Sequence, residues 1–261
     1  MTCAAGRCHE NSAFHIGGKN YSGSDINEIS QIKDTLTSSK EQYFVGHKGR
    51  QVITAEPEPI QEYYKVFTDC LKKSPASLLE ELSISGLRGR GGAGFSMAFK
   101  LDSCRKAVSD TKFIVCNADE GDPGAYSDRY IMEQRPHALL MGMMLAGYIA
   151  GATRAVVYIR GEYPESVDVI TRCIDELTQH RLLGDDINGS GFSFHIKVIK
   201  AQGAYICGEE TALLSSIEGQ RPEVCVRPPY PTQQGLFNKP TVVNNVETLA
   251  NLPYIFKHGG K

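Results

Sequence analysis

Cysteine pairs at metal-clip spacing are what this sequence most plainly lacks. Its eight cysteines (3, 8, 70, 104, 116, 173, 207 and 225) are scattered, and no two stand in C-x-x-C register, which excludes the commonest zinc and iron–sulfur clips. Thiols in a reducing, cytoplasmic setting are the expectation. Cys3 and Cys8 form a C-x4-C pair, but so near a terminus a tail is the simpler reading, and no residue is assigned to a metal. An excess of one charge is missing too. Lys and Arg total 28 against 30 Asp and Glu, a net −2, which gives no electrostatic case for nucleic acid or an anionic membrane as main partner. No apolar run is long enough to span a bilayer. The longest, 138–150 (ALLMGMMLAGYIA), carries glycines that suit close helix packing. The opening MTCAAGRCHENSAF lacks the basic region and long apolar stretch of a secretory signal, so no export is expected.

What is present reads as globular. With 261 residues and 41% apolar content, the chain can bury one large α/β core or two small ones. Residues 1–45, rich in Ser, Lys, Asn and Gly without sustained periodicity, read as a tail or extended arm, and the folded domain is expected over 46–261. Ser74-Pro75 followed by ASLLEEL predicts a capped helix. From Phe113 the chain alternates. Short β-rich runs at 113–118 (FIVCNA), 154–159 (RAVVYI) and 192–199 (FSFHIKVI) are each followed by a helical segment, at 135–150, 164–180 and about 208–218. This spacing predicts an α/β fold with a mainly parallel sheet and ligands at the carboxyl ends of its strands. The Pro- and Gln-rich stretch up to Asn245 reads as an ordered loop, and 246–256 as a last short helix.

The glycine-rich SGLRGRGGAGF (85–95) contains G-x-G-x-x-G at Gly89, Gly91 and Gly94, the spacing of a dinucleotide loop. That motif needs a strand before its first glycine, and LLEELSI has helix propensity instead. Ordered glycines cost backbone entropy, about 0.5 to 1 kcal/mol each relative to alanine, and with Arg88 and Arg90 beside them they predict a backbone that approaches a phosphate.

Three further segments carry chemistry. NADEGDPGAYSDR (117–129) puts four acids and an amide just after a strand, either a ligand loop or a solvated turn; magnesium fits poorly beside a loop whose arginines already supply positive charge. GAYICGEETALL (203–214) gathers Tyr205, Gly208, Glu209 and Glu210 near a helix start, where one glutamate satisfies the helix dipole and a second is free to orient or tune a redox ring. KPTVVNNVETLAN (239–251) offers two asparagines where a cap needs one.

Together, in this order and separation, these four segments closely resemble the NADH-binding flavoprotein subunit of complex I and the related diaphorase subunits of NAD-linked hydrogenases and formate dehydrogenases, over about residues 74–258. The resemblance implies a modified Rossmann-like FMN-binding domain in which NADH delivers hydride to FMN. Carried over position by position, it implies that Gly89, Arg90, Gly91, Gly92 and Lys100 hold the FMN phosphate and adjoining groups. Asn117, Asp119 and Glu120 would meet the ribityl chain and ring. Tyr205, Gly208, Glu209 and Glu210 would line the flavin, with Glu209 the candidate catalytic group, and Val243, Asn244, Asn245 and Thr248 would close the phosphate end. Phe95 and Tyr230 look like the aromatic positions beside the adenine of NAD(H), and Asp122 stands where the family has a longer acid near a nucleotide ribose. The family's G-F-P-T-G-L-K-W is Gly94-Phe-Ser-Met-Ala-Phe-Lys100-Leu here, and its lysine-rich approach to P-P-F is Cys225-Val226-Arg227-Pro-Pro-Tyr230. In the family a ubiquitin-like domain and a helical [4Fe-4S] bundle follow; the chain stops before both, so [4Fe-4S] and [2Fe-2S] clusters are expected only in further segments or partner chains, a thioredoxin-like [2Fe-2S] subunit of a larger redox complex first among them. An ordinary flavin-free Rossmann NAD enzyme and a catalytically silent scaffold remain the alternative readings.

Overall fold

The computed structural model describes residues 51–55, 58–202 and 204–261, with the backbone of two further strands nearer the N-terminus. Those strands, β1 (Ala13–Ile16) and β2 (Lys19–Ser22), pair antiparallel; the remainder of the expected tail, 1–45, lies outside the described residues. Four helices come next: α1 (Ile60–Tyr63), α2 (Lys65–Cys70), α3 (Pro75–Ser85) and α4 (Met97–Lys106). Then follow β3 (Phe113–Ala118), α5 (Ser127–Gln134), α6 (Pro136–Ala150), β4 (Arg154–Ile159), α7 (Pro164–Gln179), β5 (His195–Lys200), α8 (Glu210–Ile217), β6 (Thr241–Asn245), α9 (Val246–Ala250) and α10 (Leu252–His258).

The sheet is four-stranded and parallel throughout, in the order β5-β4-β3-β6. The alternating strand pattern sorts its side chains onto two buried faces. Ile114, Cys116, Ala118, Ala155, Val157, Ile159 and Val242 enter a large core with α3, α4, α6 and α10, while Val115, Val156, Tyr158 and Val243 enter a smaller one against α8. From β3 the chain moves outward to β4 and β5 and then returns to lay β6 on the other side of β3. The crevice between β3 and β6 is therefore the topological switch point, where open parallel sheets bind ligands beyond the strand carboxyl ends.

Local chemistry explains most elements. Ser74 caps α3, accepting from the Ser77 amide, and Gly86 ends it at φ 64°; a helix thus precedes the glycine loop, as expected. The glycines of 138–150 work as expected as well. A Cβ at Gly142 would stand 2.0 Å from the Leu249 carbonyl oxygen, and one at Gly147 would stand 2.3 Å from the Phe194 ring, so α6 packs closer than any side chain allows. Three expectations need correction. TVVNN is a buried strand rather than the end of a loop. The third β run enters the sheet only at His195, because Phe194 exchanges both backbone hydrogen bonds with Gly184. The last helix is two, α9 and α10, with Asn251 between them and Pro253 in the first turn of the second. Helices α4 and α5 lie outside the sequence expectations. Among the described residues no helix is long and apolar enough to cross a membrane.

Candidate functional site

A cavity of about 560 Å³ opens over the carboxyl ends of β3 and β6, within the usual size range for small-ligand sites. Its wall comes from the glycine loop (Arg90, Gly91, Gly92), Asn117 near the end of β3, the loop after it (Asp119 to Asp122), the start of α5 (Ser127, Asp128), the turn before α8 (Tyr205, Gly208, Glu209) and Asn245. The glycine loop closes on itself through the Gly89 amide, which donates to the Phe95 carbonyl at 2.8 Å. Two of its glycines serve different needs. Gly92 stands at φ 113°, a conformation side chains oppose. At Gly91 the constraint is space, since a Cβ there would lie 3.0 Å from the Asn245 Cβ.

A chain of hydrogen bonds joins this loop to the far wall. The Arg90 backbone amide donates to the Thr248 hydroxyl at 2.9 Å, and that hydroxyl donates to the Asn245 side-chain Oδ1 at 3.2 Å. The Asn245 amide nitrogen then donates to the Asp128 carboxylate at 2.7 Å, which also accepts from the Glu247 amide. Asn245 caps α9 in the same step, its oxygen accepting from the Thr248 amide.

The acidic loop divides into working and structural carboxylates. Glu120 accepts from the Asp128 and Arg129 amides and the Ser127 and Tyr163 hydroxyls, so it caps α5 from outside the helix. Arg160 holds the Glu120 carbonyl. Asp119 is buried, and its Oδ2 has no hydrogen-bond partner. Burial pushes its carboxyl up to about 6, Arg160 opposing and Glu162 adding to the effect. Burial likewise pushes Asp128 up to about 8, reinforced by the Glu120 charge and opposed by its hydrogen bonds from Asn245 and Glu247. Asn117 ties β3 to the turn before α8, its amide donating to the Gly208 carbonyl at 2.9 Å. Across the mouth, the exposed Tyr205 hydroxyl donates to Asp122 at 2.8 Å, and a Cβ on Gly121 would meet the Tyr205 ring at 2.8 Å.

Glu209 is the N-cap of α8: one carboxylate oxygen accepts from the Thr211 and Ala212 amides, and the other pairs with Arg227 at 2.6 Å. Arg227 also holds Glu210 at 2.6 Å. The second oxygen of Glu210 accepts from Lys100, which donates as well to the Val243 carbonyl. Of the residues singled out in the sequence, Lys100, Glu210, Val243, Asn244 and Thr248 thus sit around the cavity without forming its wall. Asn244 is buried, with its side-chain nitrogen unpartnered. Phe95, edge-on to Phe99 at 5.5 Å, and Tyr230 are half-exposed and stand apart from the wall. Asp128 and Arg227 are the residues sequence reasoning passes over. Two adjacent glutamates at one helix start signal the need for a cation such as Arg227.

The wall has a polarity. Arg90 and the glycine backbone mark one end, the natural seat of an anion, whereas Asp119, Glu120, Asp122, Asp128 and Glu209 line the rest. Those of them that are ionised repel an anion and accept from hydroxyls, so the complementary ligand has an anionic head and a hydroxyl-bearing body.

Comparison with known proteins agrees. A family model described as "Nuo51 FMN-binding domain" matches residues 82–254. The chain is 46% identical over 209 residues to the NADP-reducing hydrogenase subunit HndC of Solidesulfovibrio fructosivorans, covering 78% of this chain and 42% of that one. It is 46% identical over 198 residues to an NADH-quinone oxidoreductase subunit of Aquifex aeolicus, covering 75% and 46%. The chain therefore spans less than half the length of these curated relatives. A solved NAD+-reducing [NiFe]-hydrogenase in the H2-reduced state superposes with a TM-score of 0.79 at 31% identity, covering 98% of this chain and 45% of that one.

Proposed function

This chain belongs to the Nuo51 FMN-binding domain family, and on that footing we propose that it is the flavin module of an NADH dehydrogenase, a diaphorase that takes hydride from NADH and passes electrons singly to an iron–sulfur partner. The observation that carries the reading is the cavity at the switch point, where the Gly91 backbone backs onto Asn245 so closely that even a methyl group would displace the Asn245 side chain. The residues present fit FMN. Asp119, in the cavity wall, has a buried Oδ2 without a partner, a state that buried polar groups avoid unless a ligand completes them. Arg90 and the loop glycines suit a phosphate, and the carboxylates suit a polyol.

Bound there, FMN supplies a ring that accepts two electrons as hydride and releases them one at a time. The chain's own residues bind and orient. Arg90, Gly91 and Gly92 take the phosphate, with Asn245 and Thr248 fixing that end. Asn117 and Asp119 accept and donate along the hydroxyl chain, while Glu120 holds their loop rigid by capping α5. Tyr205, Gly208 and Glu209 flank the ring end, where the Glu209–Arg227 pair sets the local charge. Asp122 and Tyr205 stand at the mouth where the nucleotide ribose enters, and Phe95 and Tyr230 offer aromatic faces to its adenine. The six described cysteines are all free thiols, which supports a cytoplasmic setting. Relatives that belong to hydrogenase and quinone oxidoreductase complexes support a larger redox assembly, with a thioredoxin-like [2Fe-2S] subunit as the electron acceptor.

The test is reconstitution of the purified chain. One FMN and no FAD per chain is expected by chromatography after denaturation, with anaerobic bleaching by NADH and reduction of ferricyanide. Recovery of FAD, or no flavin after incubation with excess FMN, overturns the reading; flavin-loaded protein that ignores NADH makes the chain a silent scaffold.

A further inference from the structure

A second constellation shares no wall residue with that cavity. His137, at the start of α6, faces Cys173 and Glu176, three residues apart on one side of α7. One ligand atom from each lies within 4.8 Å of the other two, and His137 Nε2 is 3.7 Å from a Glu176 oxygen. The buried Tyr64 hydroxyl lies 3.2 Å from His137 Nδ1 and 3.4 Å from the His137 carbonyl oxygen, to which it donates. A hydroxyl has one proton. With that proton on the carbonyl, Nδ1–H donates to the Tyr64 oxygen, and the lone pair of Nε2 is left facing a carboxylate. In that tautomer two electron-rich atoms face each other, an arrangement that a cation bound between them satisfies.

We propose that His137, Cys173 and Glu176 form a three-ligand zinc(II) site, oriented by Tyr64 and with its fourth position open. Zn–N and Zn–O bonds of about 2.0–2.2 Å place tetrahedral neighbours roughly 3.3–3.5 Å apart, so the imidazole and carboxylate, at 3.7 Å, need to close by only a few tenths of an ångström, and Cys173 is brought in by side-chain rotation. A thiol and an imidazole select zinc over calcium or magnesium, which take oxygen ligands. Tyr64 is the outer partner that fixes the tautomer. A cavity of about 560 Å³ adjoins the site, with His137 and Glu176 in its wall beside Tyr63, Met141 and Pro253, which gives the fourth position room for water or a small donor. Zinc here joins the first turn of α6 to α7 and stabilises the fold by mass action.

The experiment uses the full chain with Cys3, Cys8 and Cys225 changed to serine, so that other accessible thiols do not compete. After chelation and dialysis, titration with zinc followed by calorimetry is expected to give one ion per chain, and cobalt(II) is expected to give four-coordinate visible bands with a thiolate charge-transfer band. C173S and E176Q should each weaken zinc by more than the 10–100-fold typical of losing an outer partner, and Y64F by about that factor, with circular dichroism and flavin content unchanged. Because Glu176 is half-exposed, E176Q tests the site even if C173S disturbs packing. Absence of zinc binding, a cobalt spectrum without thiolate character, or affinity indifferent to E176Q overturns the proposal. None of these readouts depends on catalysis, so the flavin assignment stands or falls separately.

Discussion

The Asn245 side-chain amide donates to the Asp128 carboxylate at 2.7 Å across 117 residues of sequence. Through it, the return strand β6 and the start of α5 are held as one wall.

Asp128 itself has a pH signature, set against that bond. Burial first, then the Glu120 charge, pushes Asp128 up to about 8. A carboxyl raised in the fold contributes stability that is complete below its unfolded value near 4 and is lost as pH rises through the folded one. Stability should therefore decline between about pH 4 and 8. Asp128→Asn removes this dependence but turns an amide against the Asn245 and Glu247 donors. Urea unfolding should find D128N less stable by about 1–3 kcal/mol at pH 5, with the gap narrowing by pH 8.

Asp119 carries a trade of stability against binding. Its carboxyl, pushed up to about 6 mainly by burial, costs the apo fold stability as pH rises from about 4 to 6, and that cost is complete above 6. Asp119→Asn should leave the apo chain at least as stable at pH 7.5, with a gain on the order of 1 kcal/mol. It should weaken FMN about tenfold, equivalent to about 1.4 kcal/mol. Thermal unfolding of the apo chain and fluorescence titration with FMN check the two halves independently.

Gly91 is limited by room rather than by backbone angle, in contrast to Gly92. Gly91→Ala should therefore fold normally, shift the Asn245 side chain by a few tenths of an ångström, and weaken FMN by roughly 10–100-fold, or about 1.4–2.8 kcal/mol. Gly91→Val should abolish binding. Equal affinity in G91A and the parent chain would show that the loop does not carry the phosphate.

Glu209 and Arg227 should move the flavin potential in opposite directions. Negative charge beside a ring opposes its reduction, so Glu209→Gln should raise the midpoint and Arg227→Gln lower it, each on the order of 30 mV, equivalent to about 1.4 kcal/mol for a two-electron couple. E209Q should also lose about 0.5–1 kcal/mol of stability from the weakened α8 cap. Potentiometric titration with parallel melting curves separates charge from capping.

Much of the molecule is legible from local chemistry. Strands β3 and β4 announce themselves as β-branched runs, α3 by its Ser-Pro start, α6 by its long apolar run and α7 by apolar periodicity. What stays hidden depends on distant partners. Helix α5 has no side-chain cap of its own; Glu120, outside the helix, accepts from its early amides. Strand β6 is five residues long behind a proline, and its identity comes from pairing with β3. The four site segments are recognisable singly, since each carries its own glycines, acids or asparagines. Which members form the wall and which stand around it is a matter of packing. Asp128 is hidden inside an acidic loop because its partner Asn245 is remote, and Arg227 because no local pattern aims it at two glutamates.

The Arg90 amide reaches a hydroxyl 158 residues later in the chain, and that span sets an order of events during synthesis. On a ribosome, the glycine loop emerges long before β6 and α9 exist, so the cradle proposed for the nucleotide stays incomplete until both are made. Flavin loading must wait until Thr248 has been translated and β6 has docked beside β3. Cofactor capture is then a report on completed folding, and a nascent chain stalled before that point should be flavin-free whatever the cellular supply.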